Sequence, residues 1–138
     1  MITEADVTDI PAPTGRELEI LKVLWEHGPC SVRVVYRQLL ADQPDGKDLA
    51  YNTVQTLLRL MEDKGLVTHR VEGRAFVYES AYSREQSATR FLDRVFDGAA
   101  SQLVLSLIRS EKIPPEELEK MQQLILEARN CRRVEGQA

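Results

Sequence analysis

Residues 49–78 read LAYNTVQTLLRLMEDKGLVTHRVEGRAFVY, and this stretch decides the fold. Its first half carries Val54, Leu57, Leu58 and Met61 at the i, i+3, i+4, i+7 spacing of one buried helix face. The opposite side begins with Tyr51, Asn52, Gln55, Thr56 and Arg59, aromatic or hydrogen-bonding groups of medium length. Lys64-Gly65 predicts the helix end: a cation in the last turn complements the dipole, and glycine tolerates the left-handed conformation just beyond it. Two short alternating runs follow, residues 67–71 and 75–78, around Glu72-Gly73-Arg74. A helix with its polar groups near the N-terminal end, followed at once by a small basic hairpin, is the layout of a winged helix-turn-helix that reads DNA.

Upstream, Thr14-Gly-Arg-Glu17 is a capping-box pattern that predicts a helix from Thr14, with Leu18, Leu21, Leu24 and Trp25 as its buried stripe and Gly28-Pro29 as its stop. Residues 1–13 hold Pro11 and Pro13 and no periodicity, so they read as a flexible N-terminal arm. Cys30-Ser31-Val32 suits one short β pairing. Ser31 then caps a second helix, residues 32–40, that buries Val35 and Leu39 with Val32 and Tyr36 beside them. The turn-rich linker DQPDGKD, residues 42–48, leads into the third helix at Ala50 or Tyr51. Helix, short strand, helix, linker, helix, hairpin gives a winged-helix DNA-binding domain over residues 14–80.

Composition changes near Ala81. Ser83-Arg-Glu-Gln86 is a second capping box, followed on one face by Ala88, Phe91, Leu92, Val95 and Phe96. Asp97-Gly98 interrupts, and Leu103, Val104, Leu107 and Ile108 form the next stripe. Pro114-Pro115 starts a last helix lined by Leu118, Met121, Leu124, Ile125 and Ala128, and the polar residues from Asn130 predict fraying into a flexible tail, 131–138. Three short amphipathic helices cannot bury their apolar faces alone. Residues 81–130 are therefore expected to be a helical dimerisation region, two copies interlocking about a two-fold axis. The competing arrangement packs these helices on the winged-helix domain of the same chain. The fold class is mainly α with a small β-hairpin wing.

The chain has 138 residues and a net charge of −4, which excludes a generic polyanion binder and puts the burden on local charge. Within residues 49–78, Arg59, Lys64, Arg70 and Arg74 stand against Glu62, Asp63 and Glu72, a surplus of one cation. No apolar run approaches the roughly 20 residues of a membrane span, and the acidic N-terminus is unlike a signal peptide. A cytoplasmic protein is expected.

Cys30 and Cys131 are far apart in sequence, with no C-x-x-C and no Cys/His cluster, so neither a disulfide nor a metal site is indicated. Cys30, among apolar residues, reads as a buried thiol and Cys131 as an exposed one. His27 suits a helix C-terminus, and His69 can touch either a phosphate or the sheet face. No nucleophile elbow, phosphate loop, dinucleotide fingerprint or H-E-x-x-H occurs. The expectation is neither an enzyme nor a cofactor-binding protein.

Asn and Gln pair with adenine N6/N7 and Arg with guanine O6/N7, so Asn52, Gln55 and Arg59 are the candidate base readers. Thr53 and Thr56 suit a phosphate or a thymine methyl, and the Tyr51 hydroxyl a phosphate. Arg70 and Arg74 on the apolar hairpin suit the DNA backbone or minor groove.

Three longer patterns, T-x-x-E-x-x-I-L-x-x-L-W (residues 14–25), A-Y-N-T-V-Q-T-L-L-R-L-M-E-D-K-G-L-V (50–67) and G-R-A-F-V-Y (73–78), resemble the penicillinase/methicillinase repressor family (BlaI/MecI type). F-L-D-R-V-F-D-G (91–98), L-V-L-S-L-I (103–108) and P-E-E-L-E-K-M-Q-Q-L-I (115–125) resemble its dimerisation helices. The resemblance implies a homodimeric transcriptional repressor on a palindromic operator, with the third helix in the major groove and the wing on the backbone. It carries the contact role to Asn52, Thr53, Gln55, Thr56, Arg59, Arg70 and Arg74. It also brings a sensor protease that cleaves the dimerisation region of the antibiotic-resistance members. The matching segment here, F-D-G-A-A-S (96–101), lacks the Asn-Phe pair associated with that cleavage, and Cys131 alone does not reproduce the paired C-x-C motifs of copper-responsive relatives.

Two other readings stand beside the repressor. One is a winged-helix protein-interaction module without sequence-specific DNA binding, for which acidic net charge is natural. The other is a regulator with a small-molecule pocket between the dimer helices, although no polar cluster on those helices points to a ligand.

Overall fold

Thr14 opens the first helix as expected: the Glu17 amide donates to Thr14 Oγ1 (3.3 Å) and the Thr14 amide to Glu17 Oε1 (2.9 Å). The computed structural model describes residues 10–42 and 49–136, so most of the N-terminal arm and of the 42–48 linker lies outside the described residues. Its elements run α1 (Gly15–His27), β1 (Cys30–Ser31), α2 (Val32–Asp42), α3 (Tyr51–Asp63), β2 (Val67–Glu72), β3 (Ala75–Ser80), α4 (Arg84–Phe96), α5 (Ala100–Arg109) and α6 (Pro115–Gly136). The helices pack with a three-stranded antiparallel sheet ordered β1-β3-β2, which is a winged helix-turn-helix. By contact the chain divides into two units, Met1–Thr89 and Arg90–Ala138, the division falling within α4.

The first unit has one core. Ile20, Leu21, Val23 and Leu24 of α1, Val35 and Leu39 of α2, and Val54, Leu58 and Met61 of α3 are buried with Leu66, Val67, Tyr78 and Tyr82. Each such aliphatic side chain contributes roughly 1.5–3 kcal/mol by leaving water. The buried face of α1 departs from the expected stripe, since Leu18 is 37 % exposed while Glu17, Ile20 and Val23 face inward. On this face Glu17 is buried in an ion pair: Lys64 Nζ donates to its Oε2 at 2.8 Å. Ile10, in the stretch read as a flexible arm, packs against this core beside Gly65.

α3 ends as Gly65 predicts. Gly65 takes φ +88°, its amide donates to the Glu62 carbonyl and the Leu66 amide to that of Met61, the paired bonds of a Schellman end with Leu66 tucked inside. Lys64 differs from its expected role, for its ammonium is held by Glu17 rather than by the helix carbonyls. Ser31 caps α2, accepting from the Val34 amide at 3.3 Å. The short β pairing joins Cys30 to Tyr78 and Ser31 to Val77, pinning the start of α2 beside the wing. Strands β2 and β3 pair from Val67–Ser80 to Glu72–Ala75, leaving Gly73-Arg74 as a two-residue loop with φ +63° at Gly73.

The helices after the wing have a different character. Ser83 and Gln86 form the expected capping box of α4, at 2.7 and 3.0 Å. Asp97 and Gly98, both at positive φ, separate α4 from α5. Neither α4 nor α5 has a buried residue. The last helix runs to Gly136, past Asn130 where the polar composition predicted fraying. Arg129, Arg132 and Arg133 are good helix formers, and no glycine or proline intervenes before Gly136. No helix among the described residues is long and apolar enough to cross a membrane.

Candidate nucleic-acid interface

The helix that carries the expected base readers is sealed on one side and open on the other. Val54, Leu58 and Met61 are fully buried, whereas Tyr51, Asn52, Thr53, Thr56 and Arg59 are exposed and Gln55 is half-buried. Its N-cap is Ala50, whose methyl cannot accept a hydrogen bond, so no side chain caps the first turn. The Thr53 and Val54 amides both donate to the Ala50 carbonyl, and a first turn without a side-chain cap leaves the amides of Tyr51 and Asn52 as candidate donors to an anionic oxygen. Tyr51 is fixed by an edge-to-face contact with Tyr36 of α2, ring centroids 5.7 Å apart.

Four of the eight expected DNA contacts line one open groove. Tyr51, Gln55 and Arg59 form its α3 wall, and Arg74, at the wing loop, with Phe76 and Tyr78 forms the wing side. Asn52, Thr53 and Thr56 are exposed on α3 but do not line the groove. Arg70 is apart from it as well. Strand alternation sets Arg70 and Glu72 on the face opposite His69 and Val71, and Arg70 Nε donates to Glu72 Oε1 at 2.9 Å. Both partners are exposed, so that pair is worth at most about 1 kcal/mol and leaves Arg70 able to exchange it for a phosphate.

His69, for which two roles were open, belongs to the sheet face. Its ring stacks on Phe76 at 4.5 Å, and its Nδ1 is hydrogen-bonded to Glu62 of α3. Tyr78 lies under the same cluster. Burial first, and then Glu62, push its hydroxyl above the ordinary range against the opposing pull of Arg59, so it stays protonated. Among the described residues no group of His, Cys, Asp or Glu is arranged to hold a metal ion. Cys30 is buried with its thiol donating to the Gly28 carbonyl, and burial raises its pKa, while Cys131 is exposed.

Sequence reasoning passed over Arg33, which lines the groove from the first turn of α2. The available signal was a cation just after a serine cap, where an acid is the ordinary choice.

The expected dimerisation residues are present as uncovered apolar surface. Phe91, Val95, Leu107, Ile108, Leu118 and Ile125 are exposed, and Leu92, Phe96, Leu103, Val104 and Met121 are half-buried.

Residues 13–127 match the family model described as penicillinase repressor. The chain is 31 % identical over 126 residues to the penicillinase repressor of Bacillus licheniformis, covering 88 % of this chain and 94 % of that one. It is 20 % identical over 116 residues to the methicillin resistance regulatory protein MecI of Staphylococcus aureus (strain N315), covering 81 % and 91 % respectively. Among solved structures, the Bacillus licheniformis BlaI monomeric form in complex with the blaP half-operator is 31 % identical, covers 56 % of this chain and 89 % of that chain, and has a TM-score of 0.46.

Proposed function

Since the chain belongs to the penicillinase repressor family, we propose that it is a cytoplasmic, homodimeric winged-helix transcriptional repressor that binds a palindromic operator through α3 and the wing. The observation that carries this reading is the groove beside α3. In a chain of net charge −4, the groove is lined by Arg33, Arg59 and Arg74 and, among the described residues, by no carboxylate. The two carboxylates of α3 lie elsewhere, with Glu62 turned to His69 and Asp63 at the far end of the helix.

In this mechanism the N-terminal half of α3 enters the major groove. Asn52, Gln55 and Arg59 read base edges, while Tyr51, Thr53, Thr56 and the uncapped α3 amides take phosphate oxygens. The wing lays Arg74, and Arg70 once released from Glu72, along the backbone. The uncovered apolar faces of α4–α6 join two copies, so that one dimer spans two half-sites. Repression then follows from occlusion of the promoter.

The exposed Val71 and Phe76 on the wing favour the second reading, a docking surface for a protein. A salt titration separates the two. Binding of the full chain to a duplex selected from a random-sequence pool should weaken steeply and linearly in log salt, because counterions are released from each neutralised phosphate. Failure to select any sequence, or binding indifferent to salt, would defeat the repressor reading.

A further inference from the structure

We infer that Arg33, at the start of α2, is a phosphate-contact residue of the DNA interface, taking the backbone together with Arg74 beside the base-reading Arg59. The inference rests on the DNA-binding reading above. Two independent observations carry it.

The first is position. Arg33 is the second residue of α2, in a first turn with no acidic residue, where the helix dipole opposes a cation. Ser31 already caps that turn through the Val34 amide, so Arg33 has no capping task. The second is company. Arg33 reaches the same groove as Arg59 and Arg74, although the three come from α2, α3 and the wing loop. No carboxylate engages any of them among the described residues. Three like charges converging on an open groove repel one another unless an anion lies between them. A planar guanidinium suits phosphate oxygens bidentately. The short β1–β3 pairing holds the start of α2, and with it Arg33, beside the wing strand that leads from Arg74.

A backbone contact and a base contact leave different signatures. Loss of one phosphate contact should make the slope of log binding constant against log salt shallower by about 0.9. Across one decade of salt that is roughly eightfold in affinity, and it should be the same for every sequence. The test compares the full-length wild type, Arg33→Gln and Arg33→Lys on two duplexes, one selected by the wild type from a random pool and one scrambled. Fluorescence anisotropy is read over roughly 0.05 to 0.3 M salt. The inference expects Arg33→Gln to be shallower on both duplexes with an unchanged selected-to-scrambled ratio, and Arg33→Lys to keep most of the wild-type slope. An unchanged slope in Arg33→Gln overturns it while leaving the repressor reading intact. A loss confined to the selected duplex also overturns it, by making Arg33 a base reader. If the wild type itself shows no salt-dependent duplex binding, both readings fall.

Discussion

Glu17 is the one buried charged residue among those described, and it holds two elements at once. Its carboxylate closes the Thr14 capping box and accepts from Lys64, 47 residues away. Burial pushes its pKa up, but the Lys64 ammonium and the Thr14 amide and hydroxyl outweigh that and leave it below the ordinary 4.5. A depressed folded-state value means that the ion pair stabilises the protein above the unfolded pKa and is lost as pH falls through the folded one. Because Lys64 is partly exposed, Glu17→Gln should cost about 1–3 kcal/mol at neutral pH. Urea denaturation of both proteins should converge only as the pH falls through the lowered folded-state value, and a gap that persisted in strong acid would show that packing, not charge, is what Glu17 supplies. Tyr82 presents the converse case. Its ring is fully buried, and its hydroxyl has no hydrogen-bond partner among the described residues. Tyr82→Phe removes an unmatched polar atom and should be neutral or stabilising by up to about 1 kcal/mol. A lower urea midpoint would mean that the hydroxyl is in fact bonded.

At the scale of the element, α3 separates its two tasks by face, and Arg59 tests whether the exposed face reads sequence. A bidentate contact to guanine predicts that Arg59→Ala weakens binding by roughly 1–3 kcal/mol, concentrated at one base pair. Competition with duplexes substituted one position at a time checks this; a uniform loss would reassign Arg59 to the backbone. The bounds of α1, α2, α3 and the wing were legible because their signals are local: Thr14 with Glu17, Ser31, Gly65 and Gly73 each set backbone geometry within a few residues. The buried face of α1 was legible only in part. Leu21 and Leu24 are buried as their spacing predicts, whereas Leu18 is exposed and Glu17 is buried against Lys64, a partner that no local pattern reveals. The groove was half legible for the same reason. Tyr51, Gln55 and Arg59 fall on one helix face by spacing, whereas Arg33 joins them only through the pairing of Cys30 and Ser31 with β3.

At the scale of the whole molecule, the two halves of the chain solve the burial problem differently. The first unit builds a core of its own within one chain, although Val71 and Phe76 on its wing are exposed, while α4 and α5 carry no buried residue and leave Phe91 51 % exposed and Val95 56 % exposed. Apolar stripes on successive helices are surface that water disfavours, and in the proposed dimer a second copy of the same stripes would cover them. Avidity in that dimer would explain how so modest a basic surplus suffices, since one weak half-site contact raises the effective concentration of the other. Phe91→Asp should place a charge in the proposed interface, so that in sedimentation at micromolar concentration the wild type runs as a dimer and the variant as a monomer. Affinity for the selected duplex should fall on the order of 10²-fold or more, because the second half-site is no longer tethered. Phe91 lies outside the winged-helix core, so the thermal unfolding of the first unit should be unchanged and the residual binding should keep its salt dependence. A wild type that sediments as a monomer would remove the dimer, and a Phe91→Asp variant that stays dimeric with full affinity would move the interface off this face of α4.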